Sequence, residues 1–264
     1  MVLELGGKNP AVVLPDANQQ LAAEKIARGR SGNSGQICLD VDYAMVPANQ
    51  LTDYIHLIVE QLEQAFPTYS DNPEYSAIIN DAAYKRITGM LAEAQQRGTQ
   101  LLTINPNHDA VPDATKRLIP LTLAINPDPD LQIAKNEIFG PILSIFTYET
   151  LDEAIAFINT HEKSLAMYVF GKNEAQLNRV IRHTSSGGVD INELALHAGS
   201  HEMGFGGVGY SGMGRYKGGK VGFETFSNPK SVYKQGILAK YTTRFMVPIH
   251  NQRNEKRFKK MLGL

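Results

Sequence analysis

The sequence predicts an α/β fold, a mostly parallel twisted sheet with helices on both faces. Two observations predict it. Short apolar runs alternate along the chain with helical segments, and a strand, helix, strand rhythm requires crossover connections and therefore parallel neighbours. No internal repeat or low-complexity linker interrupts the pattern, so one main domain is expected. At 264 residues and 42% hydrophobic, the chain is large enough to bury a full core.

Taken in order, Leu3-Glu4-Leu5 reads as the end of a strand entering a Gly6-Gly7 turn. Its edge is covered by another element or lies within a larger architecture. Apolar residues at three- and four-residue spacing predict a helix from Gln19 to Arg30, with Asp16 and Asn18 as candidate caps. A second helix is expected from Gln50 to Ala65, with Leu51, Tyr54, Ile55, Ile58, Val59 and Leu62 on one stripe. A third starts after Asp81, shows Tyr84, Ile87, Met90 and Leu91, and stops at Gly98.

Further on, strands are expected over Leu118 to Ile125, Ile142 to Tyr148, Leu165 to Phe170 and Val189 to Ile191. Thr150-Leu151-Asp152-Glu153 matches a capping box leading into Ala154 to Ile158, and another helix runs from Glu174 to His183. After about Asn228 the pattern changes. Ser231-Val232-Tyr233 has the character of an edge strand. Residues 251 to 264 are basic, with Phe258, Met261 and Leu262 at helical spacing, as in a solvated helix docking a few apolar side chains or, alternatively, one attaching to a membrane surface or a partner.

With 26 basic against 27 acidic residues the net charge is -1, so no global field selects nucleic acid or an anionic surface. No apolar run reaches the ~18 residues a transmembrane helix needs, and no signal-peptide pattern follows Met1. A cytoplasmic protein with a reduced thiol is expected. The seven histidines show no metal spacing. His197 and His201 stand four apart without a completing Cys or acidic pair, so no metal site is expected.

Cys38 is the sole cysteine, in the small-residue run Ser31 to Cys38, where a thiol would be sterically open. A cysteine nucleophile needs a thiolate, a donor for the oxyanion it creates, and a base for the step that releases product. A helix start at Cys38, or inward-facing amides from the Gly35-Gln36 turn, would lower the thiol pKa and serve the oxyanion.

Glu4 is the candidate base, because it precedes a Gly-Gly turn and strand ends are where open α/β sheets build their sites. Its bland alternative is an edge carboxylate paired with Lys8. Glu137, in Asn136-Glu137-Ile138-Phe139-Gly140-Pro141, could accept two hydrogen bonds from a ribose or be a salt-bridged loop residue.

Gly204 to Gly222 holds nine glycines in nineteen residues, including a formal Gly204-x-Gly206-x-x-Gly209 fingerprint. No strand precedes it and no amphipathic helix follows within the run. It is therefore read as an irregular loop close to other backbone or a ligand, with Phe205, Tyr210 and Met213 packing inward.

Together these segments resemble the aldehyde dehydrogenase superfamily. Leu3-Glu4-Leu5-Gly6-Gly7-Lys8 looks like its glutamate signature, Gly35-Gln36-Ile37-Cys38 like its cysteine signature, and Glu137-Ile138-Phe139-Gly140-Pro141 like its later cofactor-side motif. The 34-residue separation of Glu4 and Cys38 is the family's own. Phe205 to Gly209, Ser211 to Gly214, Gly222 to Ser227 and Asp42-Tyr43 are most like the class 3, fatty aldehyde and coniferyl aldehyde branch. Departures are Leu39-Asp40-Val41 after the cysteine, Asn136 where an acid is common, and Gly204 where Pro is usual. Asp40, if it faced Cys38, would raise the thiol pKa.

The resemblance implies the catalytic domain (1 to 227) and C-terminal oligomerisation segment (228 to 264) of such a protein. The Rossmann-like NAD(P) domain and an oxyanion-hole Asn would precede Glu4 and are not in this chain. It further implies attack by Cys38 on an aromatic or aliphatic aldehyde, hydride transfer to NAD or NADP, and thioester hydrolysis by water that Glu4 activates. Glu137 would orient the nicotinamide ribose beside Phe139, with Glu137 as the rival base, and the intact protein would be a homodimer. A second reading is a catalytically defective fragment that binds or oligomerises, with at most weak cofactor-independent esterase activity.

Overall fold

In the computed structural model, residues 1–237 and 252–264 are described, apart from the side chains of Phe258 and Met261. The strands are β1 (Leu3–Glu4), β2 (Pro10–Val13), β3 (Tyr43–Pro47), β4 (Gln100–Thr103), β5 (Thr122–Ile125), β6 (Ile142–Tyr148), β7 (Ser164–Phe170), β8 (Ser186–Ile191) and β9 (Gly212–Met213). The helices are α1 (Gln19–Ser31), α2 (Leu51–Ala65), α3 (Asp81–Gln96), α4 (Gln132–Lys135), α5 (Leu151–Thr160), α6 (Glu174–His183), α7 (Leu196–Gly199), α8 (Gly219–Thr225) and α9 (Gln252–Met261).

Seven strands form one sheet in the order β4-β5-β6-β3-β2-β7-β8, parallel throughout except for β4 against β5. Alternate residues of the central strands point to opposite faces, as a period of two demands. Ala11, Val13, Ala44, Val46, Ala166 and Tyr168 pack on one face against Ala22, Ala23 and Ile26 of α1 and Tyr54, Ile58 and Leu62 of α2. Val12, Tyr43, Met45, Met167 and Val169 pack on the other against Ala154, Ile155 and Ile158 of α5 and Leu177 and Val180 of α6. The predicted α/β class, with helices on both faces, is therefore the observed one.

The helix ends follow local chemistry. The Asn18 side chain caps α1 through the Leu21 N–H at 3.2 Å, and Thr150 with Glu153 completes the expected capping box on α5. Asn80, rather than Asp81, caps α3 and leaves Asp81 in the first turn, where it complements the helix dipole.

Several expectations are corrected. The strand expected from Leu118 is confined to Thr122–Ile125, because Leu118 instead turns back on Asp113 in an isolated bridge. Ser231-Val232-Tyr233 is irregular, with Val232 81% and Tyr233 84% exposed and, among the described residues, no partner strand to hold it. In the glycine-rich loop Phe205 is buried, but Tyr210 and Met213 face outward, and a short helix, α8, begins within the run at Gly219.

The chain divides into two compact units, Met1–Phe226 and Ser227–Leu264. In the second, α9 falls within the predicted basic segment, while the expected packing of Phe258 and Met261 lies outside the described residues. Among the described residues no helix is long and apolar enough to cross a membrane.

Candidate active site

The loops carrying the sequence-predicted residues converge at the amino ends of the parallel strands. Residues 5 to 9 lead into β2, 32 to 42 into β3 and 136 to 141 into β6. Glu4 itself stands outside the main sheet, on β1, whose edge is covered by antiparallel pairing with β9 (Leu3 opposite Met213, Glu4 opposite Gly212). The usual crevice of open α/β sheets lies at the carboxyl ends of the strands, so this cluster occupies the opposite rim.

Cys38 is half-buried in a turn, not at a helix start. Its Sγ lies 3.6 Å from Glu4 Oε1, within hydrogen-bond reach for a thiol donor. Glu4 is thus not the partner of Lys8, whose ammonium is buried against Asp42. The thiol pKa is pushed up to about 11, first by burial, then by the Glu4 carboxylate, with Glu137 adding less. The backbone N–H of Cys38 pulls the other way but does not win. The expected lowering is therefore reversed. Asp40 is not the cause: it is buried with its charge set against Arg30 and Asp42, and burial foremost pushes its own pKa up to about 7.

The turn is held by strained backbone. Asn33, Ser34 and Gly35 occupy the left-handed region in succession (φ 48°, 54° and 72°). Gly35 is obligatory, because a Cβ there would lie 2.1 Å from the Gly140 carbonyl oxygen. The cysteine loop and the Glu137 loop therefore touch backbone to backbone. Gln36 ties the turn down, donating to the carbonyls of Asn33 (3.0 Å) and Ala77 (3.1 Å) and accepting from the Ile79 N–H (2.9 Å).

Three buried polar residues, Asp42, Lys8 and Asn9, knit the loops together in a way the sequence alone did not indicate. Asp42 receives the Lys8 ammonium and the Ile138 N–H (2.8 Å), with Arg30 at 3.8 Å, so one carboxylate joins all three motif segments. Lys8 in turn donates to the carbonyls of Ile133 (2.8 Å) and Asn136 (3.0 Å). Asn9 donates to the carbonyls of Cys38 and Asp40 and accepts from the Ala166 N–H. Lys8 and Asp42 stand within or beside the recognised motifs. Asn9 has no sequence signal beyond following Lys8.

Glu137 is half-buried, and its carboxylate accepts from the Gly7 N–H. It also fills the space a side chain at Gly6 would need: a Cβ there would lie 2.9 Å from Oε2, and Gly6 has φ +97°. Burial first, then Asp42, raises the Glu137 pKa. Among the described residues no salt bridge holds this side chain, and Arg86 instead grips the loop's backbone at the Ile138 carbonyl (2.6 Å). Phe139 is 37% exposed with φ 46°, a strained conformation that presents the ring outward. On the other side Cys38 and Leu39 pack against Leu165, Ala198 and Phe205, with Tyr216 in the same apolar cluster.

Among the described residues no group of three or more His, Cys, Asp or Glu could hold a metal ion. His197, expected to lie outside any coordination set, is buried with Nδ1 2.7 Å from Asp190.

Residues 1–232 match the family described as the aldehyde dehydrogenase family. A probable coniferyl aldehyde dehydrogenase of Pseudomonas aeruginosa is 40% identical over 235 residues, covering 89% of this chain and 48% of that protein. A dimeric NADP-preferring aldehyde dehydrogenase of Canis lupus familiaris is 38% identical, with 90% and 50% covered. Among solved structures, the substrate-bound state of Staphylococcus aureus AldH superposes with a TM-score of 0.79 at 36% identity, covering 93% of this chain and 55% of that one. The chain thus spans about half the length of the curated relatives it matches.

Proposed function

Since the chain belongs to the aldehyde dehydrogenase family, we propose that it bears the thiol side of an NAD(P)-dependent aldehyde-oxidising site, with Cys38 as nucleophile and Glu4 as base. The observation that carries this reading is the 3.6 Å approach of Glu4 Oε1 to Cys38 Sγ. A thiol whose pKa is pushed up to about 11 is protonated at neutral pH, so attack needs a local acceptor, and Glu4 is the carboxylate in contact.

In this mechanism the Sγ–H proton passes to Glu4 as sulfur adds to the aldehyde carbonyl. The Cys38 N–H, already directed at the sulfur, is the chain's own donor to the developing oxyanion. A bound nicotinamide would supply the hydride acceptor that converts the adduct to a thioester. Glu4, having released its proton to solvent, then takes one from water, whose oxygen attacks the Cys38 thioester and expels the thiolate.

The residues present fit the nicotinamide end of such a cofactor. Among the described residues the Glu137 carboxylate accepts from the Gly7 N–H, leaving lone pairs for two ribose hydroxyls, and Phe139 offers an exposed apolar face beside it. The substrate would be an aromatic or aliphatic aldehyde, in keeping with the name of the Pseudomonas relative, and the cofactor NAD or NADP. Residues 1 to 227 would form the catalytic domain. Residues 228 to 264 would serve self-association, in keeping with the dimeric name of the dog relative.

The chemistry can be tested without cofactor, because ester hydrolysis needs no hydride acceptor. With a nitrophenyl acetate substrate, the wild-type chain should acquire one acetyl group at Cys38, Glu4→Gln should retain it longer, and Cys38→Ala should release nitrophenol only at the solution rate. Equal rates for wild type and Cys38→Ala would remove Cys38 from the mechanism.

A further inference from the structure

The net charge of -1 conceals an uneven distribution. The second compact unit, Ser227–Leu264, holds nine of the 26 basic residues and one of the 27 acidic ones, Glu255, a net +8. Residues 1–226 are left with 17 basic and 26 acidic residues, a net -9. Charge segregated in this way marks a segment that seeks an anionic partner. Neither the sheet nor the thiol site accounts for it.

Within that unit α9 sorts its residues by face. At about 100° per residue, Arg253, Lys256, Arg257 and Lys260 recur at helical spacing and share one side, whereas Phe258, Met261 and Leu262 share another. The four cations are exposed, as are Leu262 (55%) and, just beyond the helix, Leu264 (84%). Lys259 lies off the stripe of four and pairs with Glu255 at 2.9 Å, so the one carboxylate of the helix faces a flanking cation.

We propose that α9 is an attachment site for an anionic lipid surface. Its apolar stripe enters the boundary between headgroups and acyl chains, and the four cations reach lipid phosphates on their long stems. A ten-residue helix does not cross a bilayer, so the attachment is in the plane of the surface. Both stripes decide the occupant. A nucleic acid would use the cations and leave the apolar stripe in water. A second copy of α9 would cover the apolar stripe and set like charges against each other. A negatively charged lipid surface satisfies both stripes. The proposal is independent of the roles of Cys38 and Glu4, and it leaves the rest of residues 228 to 264 for self-association.

The test is flotation of the full chain with phosphatidylcholine vesicles, either pure or containing about one-third phosphatidylglycerol. Wild type should partition onto the mixed vesicles at least about tenfold more strongly than onto the pure ones, and lose most of that preference in about 0.5 M salt. Lys256→Gln/Arg257→Gln/Lys260→Gln should weaken partition roughly tenfold to a hundredfold. Phe258→Ser/Leu262→Ser, which keeps the charge, should weaken it roughly three- to tenfold. Thermal melts verify that each variant is folded. Because the sequence contains no tryptophan, Phe258→Trp adds a lone indole to the apolar stripe, and its emission should shift to the blue with mixed vesicles alone.

Equal partition onto both kinds of vesicle, no partition onto either, or an unmoved indole emission overturns the proposal. Undiminished binding by the serine variant overturns it too, because charge alone is the mode a nucleic acid would use. A smaller oligomer for the serine variant in light scattering without lipid would show that a second copy covers the stripe, and overturns it as well.

Discussion

The Asn9 side chain donates to the Cys38 carbonyl at 2.8 Å, and thereby ties the turn that carries the thiol to the start of the central sheet. The same amide serves the Asp40 carbonyl at 2.9 Å and accepts from the Ala166 N–H at 2.9 Å. Truncation in Asn9→Ala leaves these backbone groups unpaired in a dry environment. The expected cost is about 2–4 kcal/mol, read from urea unfolding midpoints. A loss below about 1 kcal/mol would mean that water replaces the amide.

Gly35→Ala should be among the most damaging single-methyl additions in the chain. The new Cβ meets the Gly140 carbonyl oxygen at 2.1 Å on a backbone with φ +72°, and neither side of that contact is a flexible side chain. A loss of about 3 kcal/mol or more in unfolding free energy is expected. Gly89→Ala is the matched control. It lies within α3, where a Cβ meets nothing within 4 Å, and should stabilise by about 1 kcal/mol.

Asp40 makes stability depend on pH with a definite sign. Its folded pKa, pushed up to about 7 by burial, lies above the unfolded value of 3.8. The folded state therefore holds the proton more tightly, and stability is lost as pH rises from about 4 to about 7. Asp40→Asn should remove this loss, gaining roughly 2–4 kcal/mol at pH 7.5 and about half as much at pH 5.5 in denaturant titrations. An equal gain at both values would place its origin in packing.

Lys8 and Asp42 form a buried ion pair that also organises three loops. Lys8→Met should cost about 3–5 kcal/mol, because it strands a buried carboxylate, and Asp42→Asn in that background should recover part of the loss. Chemical denaturation of the three proteins decides. No recovery would show that the Ile138 N–H and Arg30 suffice to hold the carboxylate charge.

The raised thiol pKa predicts slow labelling by iodoacetamide at pH 7 and a nearly tenfold rise in rate per pH unit between pH 8 and 10, towards a midpoint of about 11. A midpoint near 8.5 would show that Cys38 is more solvated, and Glu4 less close, than the geometry has it.

Most of the fold was legible because its helices carry one-sided patterns or caps and its longest strands are continuous apolar runs. α6 and β6 fall on their expected bounds, and α5 is announced by its capping box. The central strands β2 and β3 escaped notice because they are short and each holds a proline, Pro10 at the start of the first and Pro47 at the end of the second. At the site, the spacing of Glu4 and Cys38 was readable, and the two do meet. What was not readable was the sign of the thiol's pKa shift, since it depends on burial by Leu165, Ala198 and Phe205, residues more than a hundred positions away. The roles of Asn9 and Asp42 were hidden for the same reason, as single polar residues become informative only when their partners are known.

The pairing of β1 with β9 also sets a timetable. Glu4 and Cys38 are synthesised well before the strand that pins Glu4, which arrives only with Gly212. At ~5–20 residues per second of synthesis, the carboxylate waits roughly ten to forty seconds for its anchor. The nascent chain thus carries an unassembled thiol and base through that interval, and the two are brought into register only when the strands of the main sheet are available to fold around them.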